Sequence, residues 1–305
     1  MQAETVLGQP SRVSLFVSFY TMKYSNLILV FFSLTISIVM FEIFLRVLGI
    51  NYSIYLKPDL YLGHSLRSNT STINNDEHRA FISINSFGYR DKEWTGNEKI
   101  AFIGDSFTEA RQVEAEERFT ELPCGTMNFG VSGFGTAQEY IVLQRDVLWW
   151  EPEVVVLVFF PGNDFINNEE RDHRIPYYDN GWDFSFRDDK KFQSLVNNEW
   201  IVWMINRSSI LQLLNRMKGI VVSKVYAKTV TEDLILKIRD ASPRFILLVI
   251  PEKDSDGTSE AYLSDFAKEN NIEYIIPDLV DSDYYDHLSV EGHKKVRSLL
   301  ETICE

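Results

Sequence analysis

Near the C-terminus, the stretch DSDYYDHLSVEGH (residues 281–293) carries three aspartates and two histidines in thirteen positions. Imidazole among carboxylates can be an oriented general base, because histidine titrates near neutrality and a neighbouring acid fixes which ring nitrogen holds the proton. It is also the composition of a polar loop before a helix. Three other short stretches complete a possible chemistry: IGDSF, GVSG and PGND, which contain Ser106, Gly133 and Asn163. Ser106 is a nucleophile only if a base removes its proton, and His287 can be that base. The backbone N–H groups of Ser106 and Gly133, with the Asn163 side-chain amide, could hold the oxyanion of a tetrahedral intermediate. Glycine at 133 lets backbone approach a substrate closely. Together these residues are what acyl transfer needs.

Each stretch has a plainer reading. GDS after a strand is a turn with a helix cap. GVSGFG alone is a close-packed turn, and PGND is a common turn composition. His293 reads as a packing or surface residue of the last helix, and His64, His78 and His173 fall in polar stretches. The functional reading gains weight from position. KIAFIG, TMNFG, EVVVLVFF, RFILLVI and IEYIIP are short apolar runs with strand character. AEERFTEL, AQEYIVLQRDVLWW, EDLILKIRD, SEAYLSDFAKEN and VEGHKKVRSLLETI read as helices between and around them. Strands alternating with helices predict a parallel sheet in an α/β domain. Ligands of such sheets bind beyond the carboxyl ends of the strands. Ser106, Gly133, Asn163 and His287 each fall just after a strand, so all four reach one rim.

The front of the chain differs in kind. LILVFFSLTISIVMF (27–41) has no charge, and its apolar character runs on to Ile50, interrupted by Glu42 and Arg46. About 20 apolar residues cross a bilayer as a helix. Glu42 and Arg46 are four apart, share a helix face and can pair. No small-residue cleavage site follows, which favours an uncleaved transmembrane anchor (26–50) over a signal peptide. Lys and Arg are balanced across the span, so charge does not orient it. MKYSNLILVFF from Met22 resembles a natural start, which would make residues 1–21 of the N-terminal tail (1–25) an extension ahead of the true first residue. Residues 51–98 read as a polar connector with one strand, AFISIN, and residues 99–305 as the catalytic domain, broken by an insertion at 166–228. The insertion covers one end of the sheet, and the aromatics of its YYDNGWDFSF could stack on sugars.

Composition narrows the alternatives. A formal net charge of −14 without a dense basic run excludes a phosphate-binding surface, and with it nucleic acid as a partner. No metal-ligand spacing is present, and no cofactor is expected. Cys124 and Cys304 are two isolated thiols, or one bridge if the domain is exported; the first reading is the plainer.

IAFIGDSFTEA, NFGVSGFGTAQE, FFPGND and DHLSVEGH, in that order, resemble the four motifs of the SGNH hydrolases, also called GDSL esterases. The resemblance spans roughly residues 98–303. It implies a three-layer α/β/α flavodoxin-like fold, a Ser106 nucleophile, an oxyanion hole of Ser106, Gly133 and Asn163, and His287 as base. The N-terminal part resembles membrane-anchored bacterial members, in which an apolar helix ending E-x-x-x-R precedes INSFGYRD; this implies a single-pass protein with an extracytoplasmic, periplasmic catalytic domain. The family's aspartate stands three before its histidine, but position 284 is tyrosine. Asp283 is therefore the expected orienting acid, with Asp286 as the alternative. The expected activity is ester or acyl hydrolysis on a small molecule, lipid or envelope glycan. O-acyl transfer in polysaccharide modification is the alternative, followed by non-catalytic envelope binding.

Overall fold

A run such as VVVLVF has no polar side to show to water, so it must lie where both faces are covered. In the computed structural model it does. The structure describes residues 12–47, 55–168, 177–178, 184–185, 198, 200, 204, 208–211 and 228–304. They fall into two compact units, one within Met1–Tyr52 and Ser208–Lys218, the other within Ser53–Arg207 and Gly219–Glu305.

In the first unit, helix α1 spans Arg12–Val47. Its segment Tyr24–Val47 has 24 residues and a mean hydropathy of 2.5. At 1.5 Å per residue that is about 36 Å, enough for the roughly 30 Å hydrocarbon core of a bilayer. The expected Glu42–Arg46 pair is present at 2.9 Å. The Glu42 carboxylate also accepts from Ser209 N–H (2.8 Å), Ile210 N–H (3.1 Å) and the Ser208 hydroxyl (3.1 Å).

The second unit is built on a five-stranded sheet. Its strands are β5 (Ile100–Gly104), β6 (Thr126–Asn128), β7 (Val154–Phe159), β10 (Phe245–Val249) and β11 (Glu273–Ile275). They lie in the order β11-β10-β7-β5-β6, and every pairing is parallel. Renumbered within the sheet this is 2-1-3-4-5, the flavodoxin-like order, whose direction reverses between β5 and β7. The α/β expectation is met. Ala101, Ile103, Val155 and Leu157 point into one core, and Ile100, Phe102, Val156 and Val158 into the other. Helices α3 (Thr136–Val142), α5 (Lys228–Ala241) and α6 (Thr258–Glu269) cover the first face. Helix α7 (Val290–Leu300) covers the second through Val296 and Leu300.

Of residues 51–98, read above as a connector, those described form two antiparallel hairpins on this unit: β1–β2 (Leu56–Asp59, Gly63–Leu66) and β3–β4 (Thr70–Asn74, Ala80–Ile84). Leu62, Leu66, Ile82, Ile84, Tyr89 and Trp94 bury themselves in the first core. The helix expected over AEERFTEL is a single turn, Ala115–Glu117. Arg118 leaves it in an extended conformation because its guanidinium is drawn inward onto the Arg90 carbonyl and Asp91. Most of the 166–228 insertion lies outside the described residues; within it Tyr177–Tyr178 pairs with Phe184–Ser185 as β8 and β9.

The two cysteines are not isolated thiols. Cys124, ahead of β6, is bridged to Cys304 in the turn after α7, across 180 residues of chain. Their chain distance hid a pairing that the parallel fold makes local. Replacing both by serine should lower the unfolding free energy by about 2–4 kcal/mol, the usual worth of a bridge closing a long loop. Denaturant titration of the whole chain in detergent, with and without reductant, measures this. Two titratable thiols in the native protein would overturn the bridge.

Candidate active site

Ser106 is the first residue of α2 (Ser106–Glu109), a helix only four residues long. Asp105 caps it, accepting the Phe107 N–H at 2.8 Å, so the cap and the candidate nucleophile are adjacent residues of one turn. The helix folds back tightly on β5: a Cβ at Gly104 would lie 2.1 Å from the Thr108 hydroxyl. Its far end turns through Ala110 in a left-handed conformation (φ 54°). Arg90 secures that turn. Its buried guanidinium donates to the carbonyls of Glu109 (2.9 Å), Val113 (2.6 Å) and Ala110.

His287 sits in a tight turn closed by a bridge between Tyr284 and Leu288 and by Tyr285 N–H donating to His287 C=O at 2.7 Å. Its Nε2 lies 2.8 Å from Ser106 Oγ. Its Nδ1 lies 2.5 Å from Glu77 Oε1, and its backbone N–H donates to Glu77 Oε2 at 2.7 Å. Burial works to raise the Glu77 carboxyl. The His287 ring and N–H, with the charge of Arg111, outweigh this and leave it below the ordinary carboxylate range.

The two expected acids are elsewhere. Asp283 is buried and pairs with Lys295 at 2.6 Å while accepting Val280 N–H at 2.8 Å. Burial opposes ionisation there, but Lys295 and that N–H prevail and hold the carboxyl low. Asp286 is exposed and makes no hydrogen bond or ion pair among the described residues. Sequence reasoning missed Glu77, which stands in the featureless polar stretch STINNDEHRA. The one available signal was tyrosine at 284, which left the histidine's own loop without an acid in the usual place.

In the loop after β6, Gly133 has φ +82°, a conformation that favours glycine. The N–H of Ser132 is taken by Glu109 Oε2 at 2.6 Å. The N–H groups of Ser106 and Gly133 make no hydrogen bond among the described residues. Asn163 lies on α4 (Pro161–Asn167), which starts directly after β7. Its amide donates to Asp105 Oδ2 at 2.7 Å, which leaves its second N–H. His64, on the β1–β2 hairpin, bonds the Ser132 carbonyl through Nε2 at 2.9 Å and so braces this loop.

Behind the serine lie three fully buried carboxyls. Burial pushes Asp105 up to about 6, with the Phe107 N–H, Asn163 and His287 opposing. Burial, and then the charge of Asp105, pushes Glu139 well above its ordinary range. Asp164 is raised likewise by burial, Glu139 and Asp105. Neither Glu139 oxygen has a hydrogen-bond partner among the described residues, as suits an acid that keeps its proton.

No protein-family model and no curated protein matches the chain. Solved structures do resemble it at low identity. A G-D-S-L family protein from Desulfitobacterium hafniense DCB-2 is 17% identical, covers 68% of this chain and 99% of its own, with a TM-score of 0.39. A GDSL-like lipase from Bacteroides thetaiotaomicron is 14% identical over 70% of this chain and 90% of its own, with a TM-score of 0.40. Axe2, an acetylxylan esterase from Geobacillus stearothermophilus, is 16% identical over 68% and 94%, with a TM-score of 0.37. Likenesses this distant carry no substrate.

Two outcomes follow from these environments. Lysine at 90 cannot reproduce a planar fork of donors. Arg90→Lys should therefore cost more than about 2 kcal/mol, since each orphaned buried carbonyl costs roughly 1–3; thermal unfolding measures it. For Glu139, a raised folded pKa means full stability below the unfolded value and progressive loss as pH rises through the folded one. Glu139→Gln removes that loss. Its melting temperature should exceed the wild type's by a margin that widens from about pH 5 to about pH 8. A margin that is constant with pH would show that Glu139 is ionised in the fold.

Proposed function

We propose that the protein is an SGNH-type serine hydrolase that cleaves an ester or O-acyl bond at the membrane surface. The 2.8 Å hydrogen bond between Ser106 Oγ and His287 Nε2, at the strand ends where the sheet order reverses, carries the reading. Ser106 attacks the ester carbonyl, and its proton passes to His287 Nε2. The oxyanion that forms is held by the N–H groups of Ser106 and Gly133 and by Asn163. Collapse breaks the bond to the alcohol, which leaves with the proton from Nε2. Water then attacks the acyl-enzyme, gives a proton to Nε2, and releases the acid as Ser106 recovers its hydrogen.

The apolar helix and the Cys124–Cys304 bridge support an anchored domain in an oxidising, extracytoplasmic compartment. An O-acyl group on an envelope glycan or lipid is the substrate that fits this placement. A fluorophosphonate probe should label the wild type and spare Ser106→Ala; equal labelling of both would reject Ser106 as nucleophile. Hydrolysis of acetylated glycans against short and long p-nitrophenyl esters would then rank the acyl donors.

A further inference from the structure

We propose that Glu77 is the carboxylate that orients His287, supplied by the tip of the β3–β4 hairpin in place of an aspartate on the histidine's own loop. The inference rests on the serine hydrolase reading and deepens it. Glu77 acts through His287 and is a positioning residue.

A histidine serves as base toward serine when Nδ1 carries the proton and Nε2 offers its lone pair. An acceptor on Nδ1 enforces that tautomer. Glu77 Oε1 is that acceptor at 2.5 Å, while Nε2 faces Ser106 at 2.8 Å. The second carboxylate oxygen takes the His287 backbone N–H at 2.7 Å. One side chain therefore grips both ring and backbone, and the ring cannot turn without breaking the grip.

The hairpin tip is held where this requires. Asp76 lies 3.7 Å from Arg111, and His78 stacks on Tyr285 with ring centroids 5.5 Å apart and planes 8° from parallel. Just below the tip, Glu114 accepts Phe81 N–H with both oxygens, at 3.1 and 3.2 Å. No carboxylate of the histidine's own loop competes. Asp283 is committed to Lys295, and its carbonyl accepts Ser289 N–H at 2.7 Å. Position 284 is a tyrosine whose hydroxyl donates to the Pro251 carbonyl at 2.7 Å. Asp286 faces solvent.

The test compares fluorophosphonate labelling rates of the whole chain in detergent for wild type, Glu77→Gln, Glu77→Asp, Glu77→Ala, Asp283→Asn and Asp286→Asn. Labelling forms the Oγ–P bond, breaks P–F, releases fluoride and leaves the serine proton on His287. Proton NMR of the low-field Nδ1 hydrogen of His287 gives a second readout that needs no turnover. Glu77→Gln and Glu77→Ala should label roughly 10²–10⁴-fold more slowly, by analogy with loss of the orienting acid in a serine protease. Glu77→Asp should recover part of the rate, and the low-field signal should vanish in the Gln and Ala variants. Asp286→Asn should behave as wild type; Asp283→Asn should lose thermal stability yet keep the signal. Wild-type labelling by Glu77→Gln, or loss of the signal in Asp283→Asn or Asp286→Asn but not in Glu77→Gln, would overturn the assignment. A wild type that does not label overturns the hydrolase reading instead, and the low-field signal still decides whether Glu77 orients the ring.

Discussion

A helix of four residues has too few internal hydrogen bonds to hold a nucleophile still. What holds α2 is one buried guanidinium. Arg90 is 2% exposed and makes no ion pair among the described residues; its donors go to the carbonyls of the turn that ends the helix and, at 3.3 Å, to the Phe81 carbonyl on β4. Burial and the nearby Arg118 push it down to about 9, opposed by Glu109, so it remains charged at neutral pH. The brace extends further. Arg118 donates to the Arg90 carbonyl and pairs with Asp91 at 3.0 Å. Asp91 in turn accepts Trp94 Nε1–H at 2.6 Å and Asn128 N–H at 2.9 Å. Asn128 ends β6, and the Gly130–Gly133 loop follows it. One polar chain, starting from the RD of SFGYRD, thus ties the serine loop to the Gly130–Gly133 loop.

A parallel sheet satisfies its strands but leaves the loops at their carboxyl ends without ladder partners, so such loops must be braced from outside. Here the bracing comes from residues ahead of the sheet. The β1–β2 hairpin reaches the Gly130–Gly133 loop through His64, and the β3–β4 hairpin reaches the histidine loop through Glu77. The segment that follows the apolar helix in sequence is therefore part of the site's scaffold. Its polar composition suggested a linker because hairpins packed on one face keep their other face polar.

The legible parts of the fold were those set by local pattern. Strands covered on both faces are continuously apolar, so β5, β7 and β10 announced themselves, and amphipathic periodicity marked α5, α6 and α7. Ser106 as a candidate and the cap at Ser289 were legible because each adjoins such an element; His287 is separated from the last strand by the turn at Asp281–Asp283 and stood out by its residue type and motif instead. The features missed depend on long-range partners. Arg118 broke the helix expected over 115–122 because its partners lie 27 and 28 residues away. Glu77 meets His287 across 210 residues, and Cys124 meets Cys304 across 180. No local pattern encodes these pairings. Only the strand order brings them together.

The two histidines of DSDYYDHLSVEGH show how completely environment decides chemistry. His293 lies on α7, fully buried, stacked on Phe119 and accepting the Phe119 N–H at Nδ1 (3.2 Å). Burial, with Arg90, Arg118 and Arg297 around it, pushes its pKa well below the ordinary value. It stays neutral, and its Nδ1 lone pair is already used, so it serves packing. His287, six residues earlier, keeps 22% of its side chain exposed and meets a carboxylate rather than guanidinium groups. The two rings differ in their partners: His293 is enclosed among guanidinium groups, whereas His287 stands between the Glu77 carboxylate and the Ser106 hydroxyl.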